Sequence, residues 1–146
     1  MTQKVINWLV DTLFQTQGEA DFLDITWHKV PDWQLTPISG PLGRVQAQKV
    51  EQVNFGYQNT HGYLLTILVM IAVPQQHFNS EERWIHTVEE RIIDLIIGDP
   101  QPTTIDDVTV QNFRFISSEY LPPVINEVMI DMVGMTIQCE YHRVVT

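Results

Sequence analysis

Four ionisable side chains fall at helical spacing past the middle of the chain. Glu82, His86, Glu89 and Glu90 lie at i, i+4, i+7 and i+8, so three of them can share one helix face. A carboxylate–histidine cluster of this kind can hold a transition metal. The pattern is not HExxH, however, and no second helix supplies the ExxH partner of a di-iron bundle. Ile85, Val88 and Ile92 occupy the opposite side, so the four residues read as a solvated polar face. The other candidates are weaker. Cys139 is the single cysteine and sits in an alternating segment, where a free thiol is usually a small buried hydrophobe. Ser117-Ser118 lacks the strained G-x-S-x-G turn of a nucleophilic serine. The glycines are scattered singly, so no phosphate cradle is built. His28, His61, His77 and His142 are isolated in sequence. Asp106 and Asp107 are adjacent, and adjacent residues on a strand point to opposite faces; they mark a loop end. The expectation is no catalysis, no metal and no cofactor.

The elements that position these residues follow from periodicity. Val5, Trp8, Leu9, Thr12 and Leu13 form one stripe of a helix from about Thr2 to Gln15, widened by Ile6, Val10 and Phe14. A surface helix shows a stripe of about 100°. The wider one leaves two readings: a helix sunk in its own domain, or one that also packs on a partner. Residues 17–43 carry Pro31, Pro37 and Pro41 together with Trp27 and Trp33. They read as an ordered, extended arm with a short strand at Ile25–Val30.

A long strand follows from Arg44 to Tyr57, a turn at Gln58–Gly62, and a second strand from Gly62 to Val73. About 13 residues at ~3.3 Å each span about 43 Å, more than the roughly 38 Å across a compact chain of this length. The hairpin must therefore project, or its strands must bend sharply. Ser80 to Ile97 reads as a helix, ended by Gly98 and Pro100. Ile85, Val88, Ile92, Leu95 and Ile96 face the core. A strand at 108–116, a connection at Ser117–Asn126 and a strand at Glu127–Val144, with Gly134 as a bulge, complete the chain. The predicted fold is α+β, in the order α-β-β-α-β-β. Two β-hairpins make a four-stranded antiparallel sheet with two helices packed on one face and a long projecting hairpin.

The 146 residues point to a single domain, 1–146. One cysteine excludes an intrachain disulfide framework. No stretch has the ~20 apolar residues of a membrane-spanning helix, and no membrane partner is expected. Eight Lys+Arg against 18 Asp+Glu give a net charge of -10. That disfavours a general nucleic-acid-binding surface, which needs clustered positive charge. Glu90 and Asp94 are like charges at i, i+4, and Asp94 lies near the negative end of its helix; both placements are locally unfavourable. A surface kept negative would repel a polyanion.

The order of helix, long hairpin with polar tip, capped helix and C-terminal hairpin resembles the tail-terminator and neck (head–tail joining) proteins of tailed bacteriophages. The resemblance covers nearly the whole chain. It is carried by Val5-Ile6-Asn7-Trp8-Leu9-Val10, the hairpin Arg44 to Val73, the helix from Glu81-Glu82-Arg83 to Ile97, and the strand Val128 to Tyr141. It rests on element order and length, not on signature residues. It implies a virion protein in the tail or neck, assembled in the host cytoplasm. It further implies a homo-oligomeric ring, commonly hexameric, in contact with other phage tail or neck proteins, with DNA passing through without tight binding and no cofactor. A closed ring needs a heterologous contact between different faces of identical subunits. The candidate subunit contact is Val5, Trp8, Val53, Phe55 and Tyr57, and the candidate acidic lumen face is Glu82, Glu89, Glu90 and Asp94. The alternative is a small α+β enzyme or ligand-binding domain with an unrecognised pocket.

Overall fold

The computed structural model describes residues 2–17, 25–29, 41–53, 60–74, 84–98, 103–121, 124–125 and 128–144. Helix α1 (Thr2–Trp8) continues directly as a π-helical stretch, Leu9–Gln17. The π repeat lengthens toward i+5, which brings Leu9, Val10 and Phe14 toward one side. All three are fully buried, as are Val5 and Ile6. The breadth of this apolar stripe therefore has an internal cause. The helix packs against the sheet and against the second helix, and Trp27 lies on Phe14 with ring centroids 5.0 Å apart. Of the two readings, the helix sunk in its own domain holds. Val5 leaves no surface for a neighbouring subunit, which corrects its place in the candidate contact.

Among the described residues, six strands form one mixed sheet in the order β1-β2-β3-β7-β5-β4: β1 (Thr26–His28), β2 (Leu42–Val53), β3 (Thr60–Pro74), β4 (Thr103–Ile105), β5 (Val108–Leu121) and β7 (Val128–Val144). A two-residue strand, β6 (Val124–Ile125), pairs separately with the start of β7. Helix α2 (Trp84–Gly98) connects β3 to β4. All neighbours are antiparallel except β1 and β2, which run parallel. The expected order α-β-β-α-β-β is thus the frame of the fold. The short strand expected within Ile25–Val30 is β1; the expected order lacks the short β4 and β6, and the sheet is mixed, not purely antiparallel.

The sheet's inner face carries Leu65, Ile67, Val69, Ile71 and Val73 of β3 opposite Val133, Met135, Ile137, Cys139 and Tyr141 of β7. These join Ile85, Val88, Ile92, Leu95 and Ile96 of α2 and the buried residues of the first helix in one core. A smaller apolar cluster, Ala72, Ile130 and Met132 with Leu42 and Met70, is separate from it.

Three sequence expectations change. The long hairpin does not project as a unit. Its second strand, β3, is central and pairs with β7 along its whole length, from Thr60↔Val144 to Pro74↔Ile130. The excess length is shared across the sheet, and register shifts between Ala47 and Lys49, Gln111 and Arg114, and Phe115 and Ser117 bend the outer strands. The hairpin tip, 54–59, lies outside the described residues, as does most of the expected arm between 17 and 43. Next, Gly134 is not at a bulge, because β7 runs in continuous register with β3 past it. Finally, β5 extends through Ser117 to Leu121, where a connection was expected.

Two backbone positions with positive φ fix local geometry. Asp106, at φ 53°, turns β4 into β5, and Asn112, at φ 56°, forms the first irregularity of β5. Both are residue types that tolerate this region. Asn112 Nδ2 donates to Glu140 Oε2 at 2.8 Å, which ties the irregularity to β7. The two acids Asp106 and Asp107 both reach Lys4 Nζ, at 3.6 and 3.1 Å, and so fasten the first helix to the β4–β5 turn. The hydrogen bond that Lys4 Nζ donates to Asp107 raises the Lys4 pKa above its ordinary value.

Candidate functional site: two free sheet edges

Each margin of the sheet is covered over only part of its length. On one margin, β1 pairs with Leu42, Gly43 and Arg44 of β2. On the other, β4 pairs with Val108, Thr109 and Val110 of β5. Among the described residues, Val45–Val53 of β2 and Gln111–Leu121 of β5 have no strand on their outer side. The ladder places β1 level with the Met132 end of β7 and β4 level with its Arg143 end. The free stretches therefore lie on opposite margins and are displaced toward opposite ends. Each carries a row of backbone donors and acceptors able to template another strand.

Side-chain exposure follows the same division. Ala47 through Gln52 are all exposed, so this half of β2 is uncovered on both faces. On β5, Arg114, Ile116, Ser117, Glu119 and Tyr120 are exposed. The large apolar side chains with high exposure among the described residues are Val50 at 44%, Ile97 at 68%, Ile116 at 47% and Tyr120 at 44%. Three of these four belong to the two free stretches, and the fourth is near the end of α2.

The candidate metal cluster has a different role. Tyr120 donates its hydroxyl hydrogen to the Glu89 carboxylate, with Oε2 at 2.7 Å. The same hydroxyl lies 3.3 Å from His86 Nδ1, and the two rings meet edge-on with centroids 5.2 Å apart. Glu89 and His86 thus fasten α2 to the free part of β5. Glu82 lies outside the described residues, and Glu90 points to solvent. Among the described residues, no three His, Cys, Asp or Glu side chains could share a metal ion.

The remaining candidates are dispersed. Trp8 is half-buried and stacks on Phe113 at 5.7 Å between centroids. Val53 is half-buried at the end of β2, while Phe55 and Tyr57 lie outside the described residues. Glu90 and Asp94 are exposed on α2, whereas Glu89 is turned into the contact with Tyr120. Sequence reasoning missed the free edge of β5. The irregularity around Ile116 inserts one residue and shifts the alternation, so the period-2 pattern ends there although the strand does not. Among the described residues, no helix is long and apolar enough to cross a membrane.

No family model matches the chain, and no curated protein matches it. Among solved structures, the fold is similar to that of a chain from the virion of a native gene transfer agent (GTA) particle. The TM-score is 0.53 at 10% sequence identity, over 94% of this chain and 84% of that one. At that identity the likeness is one of fold.

Proposed function

We propose that this chain is a structural virion protein of the tailed-phage kind. In this reading it assembles with copies of itself into a ring, hexameric as is common in the family it resembles. The ring sits at the tail end or head–tail junction as a tail terminator or neck protein, against other tail or neck proteins, and DNA passes through it. The observation that carries the reading is the fold likeness to a virion chain over 94% of this sequence. Two features support it. The chain has two uncovered sheet margins, one on each side, which suits a repeated head-to-tail contact. Its net charge of -10 suits a ring that must not grip DNA. Val53, with Phe55 and Tyr57 beyond it, belongs to the subunit contact, with Trp8 near it. Glu90 and Asp94, with Glu82, form the acidic surface toward the lumen, and Glu89 supports it from beneath.

The test is the mass of the chain in solution by light scattering, followed by negative-stain imaging. Rings of uniform diameter are expected. A stable monomer that binds or turns over a small molecule would replace this reading with that of an enzyme or ligand-binding domain.

A further inference from the structure

The two free edges match one another in length. Traced through the ladder, the β5 stretch from Gln111 to Leu121 spans the levels of Glu140 to Met132 on β7. The β2 stretch from Val45 to Val53 spans the levels of Met135 to His142. Both edges are ended by a short strand, β1 beyond Val45 and β4 beyond Gln111.

We propose that the β2 edge of one chain pairs with the β5 edge of a second copy, so that the sheet continues from subunit to subunit. The inference rests on the self-assembly reading above and names its contact. The directions agree. β2 runs opposite to β3, β3 opposite to β7, and β7 opposite to β5, so β2 and β5 of one chain are antiparallel. A second copy in the same orientation presents its β2 antiparallel to the first copy's β5, with the helix-bearing faces on the same side. The contact is heterologous and leaves one free edge at each end, so it repeats from copy to copy and gives a ring where the rotation closes.

The capping strands also set the register. With two copies at the same height, Val53 and Gln52 would fall opposite Thr109 and Val110, where β4 already sits. Lys49 would then face Arg114. Sliding the neighbour by one two-residue step, about 6.6 Å, clears β4. Glu51 then faces Arg114, both on the face away from the helices, and Val50 faces Phe115 beside Ile116 on the other. Opposite charges and apolar pairs directly across a ladder are both favourable. The same slide also draws the neighbour's β1, which lines its Leu42–Arg44, away from Glu119 and Tyr120 toward the Leu121 end of β5.

Monomeric proteins blunt their free edges with bulges and charges, and β2 has both in its register shift and Lys49. Blunting does not explain why exposed Val50, Ile116 and Tyr120 lie on these two stretches. Pairing with a second copy explains Val50 and Ile116, while Tyr120 is already held by Glu89 of its own chain.

The test uses the full chain with Glu51→Cys and Arg114→Cys together. Residues directly opposed across an antiparallel pair have Cα atoms about 4.5–5.5 Å apart, within the range a disulfide bridges. Cys139 is fully buried and does not compete. On oxidation the double variant should give a ladder of covalently linked chains, and either single variant none. Lys49→Cys with Arg114→Cys, which would align only without the slide, should not link; linkage there would overturn the register. Independently, Arg114→Glu should weaken assembly by roughly tenfold or more through like charges, and adding Glu51→Arg should restore it. Rings formed by the wild type, with variants that neither cross-link nor respond to the charge swap, would overturn this contact and leave the self-assembly reading standing. A wild-type chain that stays monomeric would overturn both.

Discussion

Gly43 carries no side chain because Trp27 fills the space. A Cβ at Gly43 would lie 2.5 Å from Cε3 and 2.6 Å from Cζ3 of the indole, and 2.9 Å from Ile25 Cγ2. Gly43→Ala must push that ring off Gly43 or part β1 from β2. Overpacking of this kind costs about 1–3 kcal/mol, so a lowered urea midpoint at unchanged m-value is expected; an unchanged midpoint would mean the Trp27 ring yields freely. Cys139 makes a second prediction. Burial, with Glu140 adding to it, pushes its thiol from the ordinary 9.0 up to about 12. Between those values the unfolded chain has lost the thiol proton while the folded chain keeps it. The unfolded state then binds fewer protons, so Cys139 makes stability fall as pH rises through that window. Unfolding free energies of wild type and Cys139→Ala, compared from about pH 8 to about pH 11, should converge as pH rises. Parallel curves would show that the thiol does not titrate differently in the two states. The burial of Cys139 was legible from strand alternation. The need for Gly43 was not, because it arises from the parallel pairing of β1 and β2 across a Pro-rich segment with no periodic signal.

At the scale of elements, α2 was the most legible. Its stripe of Ile85, Val88, Ile92 and Leu95 and its terminal Gly98 carry both a phase and a stop signal. All four stripe residues are buried, at 1%, 0%, 0% and 6% exposure. Ile92→Ala should therefore cost about 2–5 kcal/mol through lost burial and a cavity. A loss below about 1 kcal/mol by chemical denaturation would place the cavity where neighbours collapse into it. The first helix was legible in position but not in surroundings. Its width comes from the π continuation and from enclosure by Trp27, the sheet and α2, and a stripe on one helix cannot say how many neighbours surround it. The strands divide in the same way. β3, an apolar run from Tyr63 to Val73 broken only by Thr66, and β7, which alternates from Val133 to Tyr141, pair in unbroken register and were found nearly to their ends. β5 was cut short because its irregularities shift the alternation. β1 was found within Ile25–Val30, though not its parallel pairing with β2, and β4, with three residues, is too short for any period to register. These two short strands decide which parts of the margins stay open, so the candidate site was the least legible part of the fold.

At the scale of the whole molecule, charge and assembly must be considered together. A ring that guides DNA has to enclose a polyanion without holding it. Each phosphate neutralised by Lys or Arg adds a salt-sensitive attraction, and six to ten such contacts change affinity by about 10³–10⁵ over a modest salt range. In the proposed ring, a chain with eight Lys+Arg and a net charge of -10 would repel DNA before any contact forms. Lys4, Lys29 and Lys49 each pair with an aspartate or glutamate at 3.0–3.1 Å, and Arg44 is buried. The purified protein should therefore show no appreciable binding to duplex DNA at physiological salt. Glu90 and Asp94, both exposed on α2, are the residues whose sign can be changed without touching the free edges. Each reversal to Lys shifts the charge by two, so the double variant carries -6 per chain in place of -10. If α2 faces the lumen, rings of that variant should still form and should retain DNA in a filter or mobility assay, with retention that falls as salt rises. Tight, salt-sensitive binding by the unmodified protein would end the sliding-lumen reading. Rings of the variant that assemble normally and release DNA as freely as wild type would put α2 on the outer rim and leave the lumen to the opposite face of the sheet.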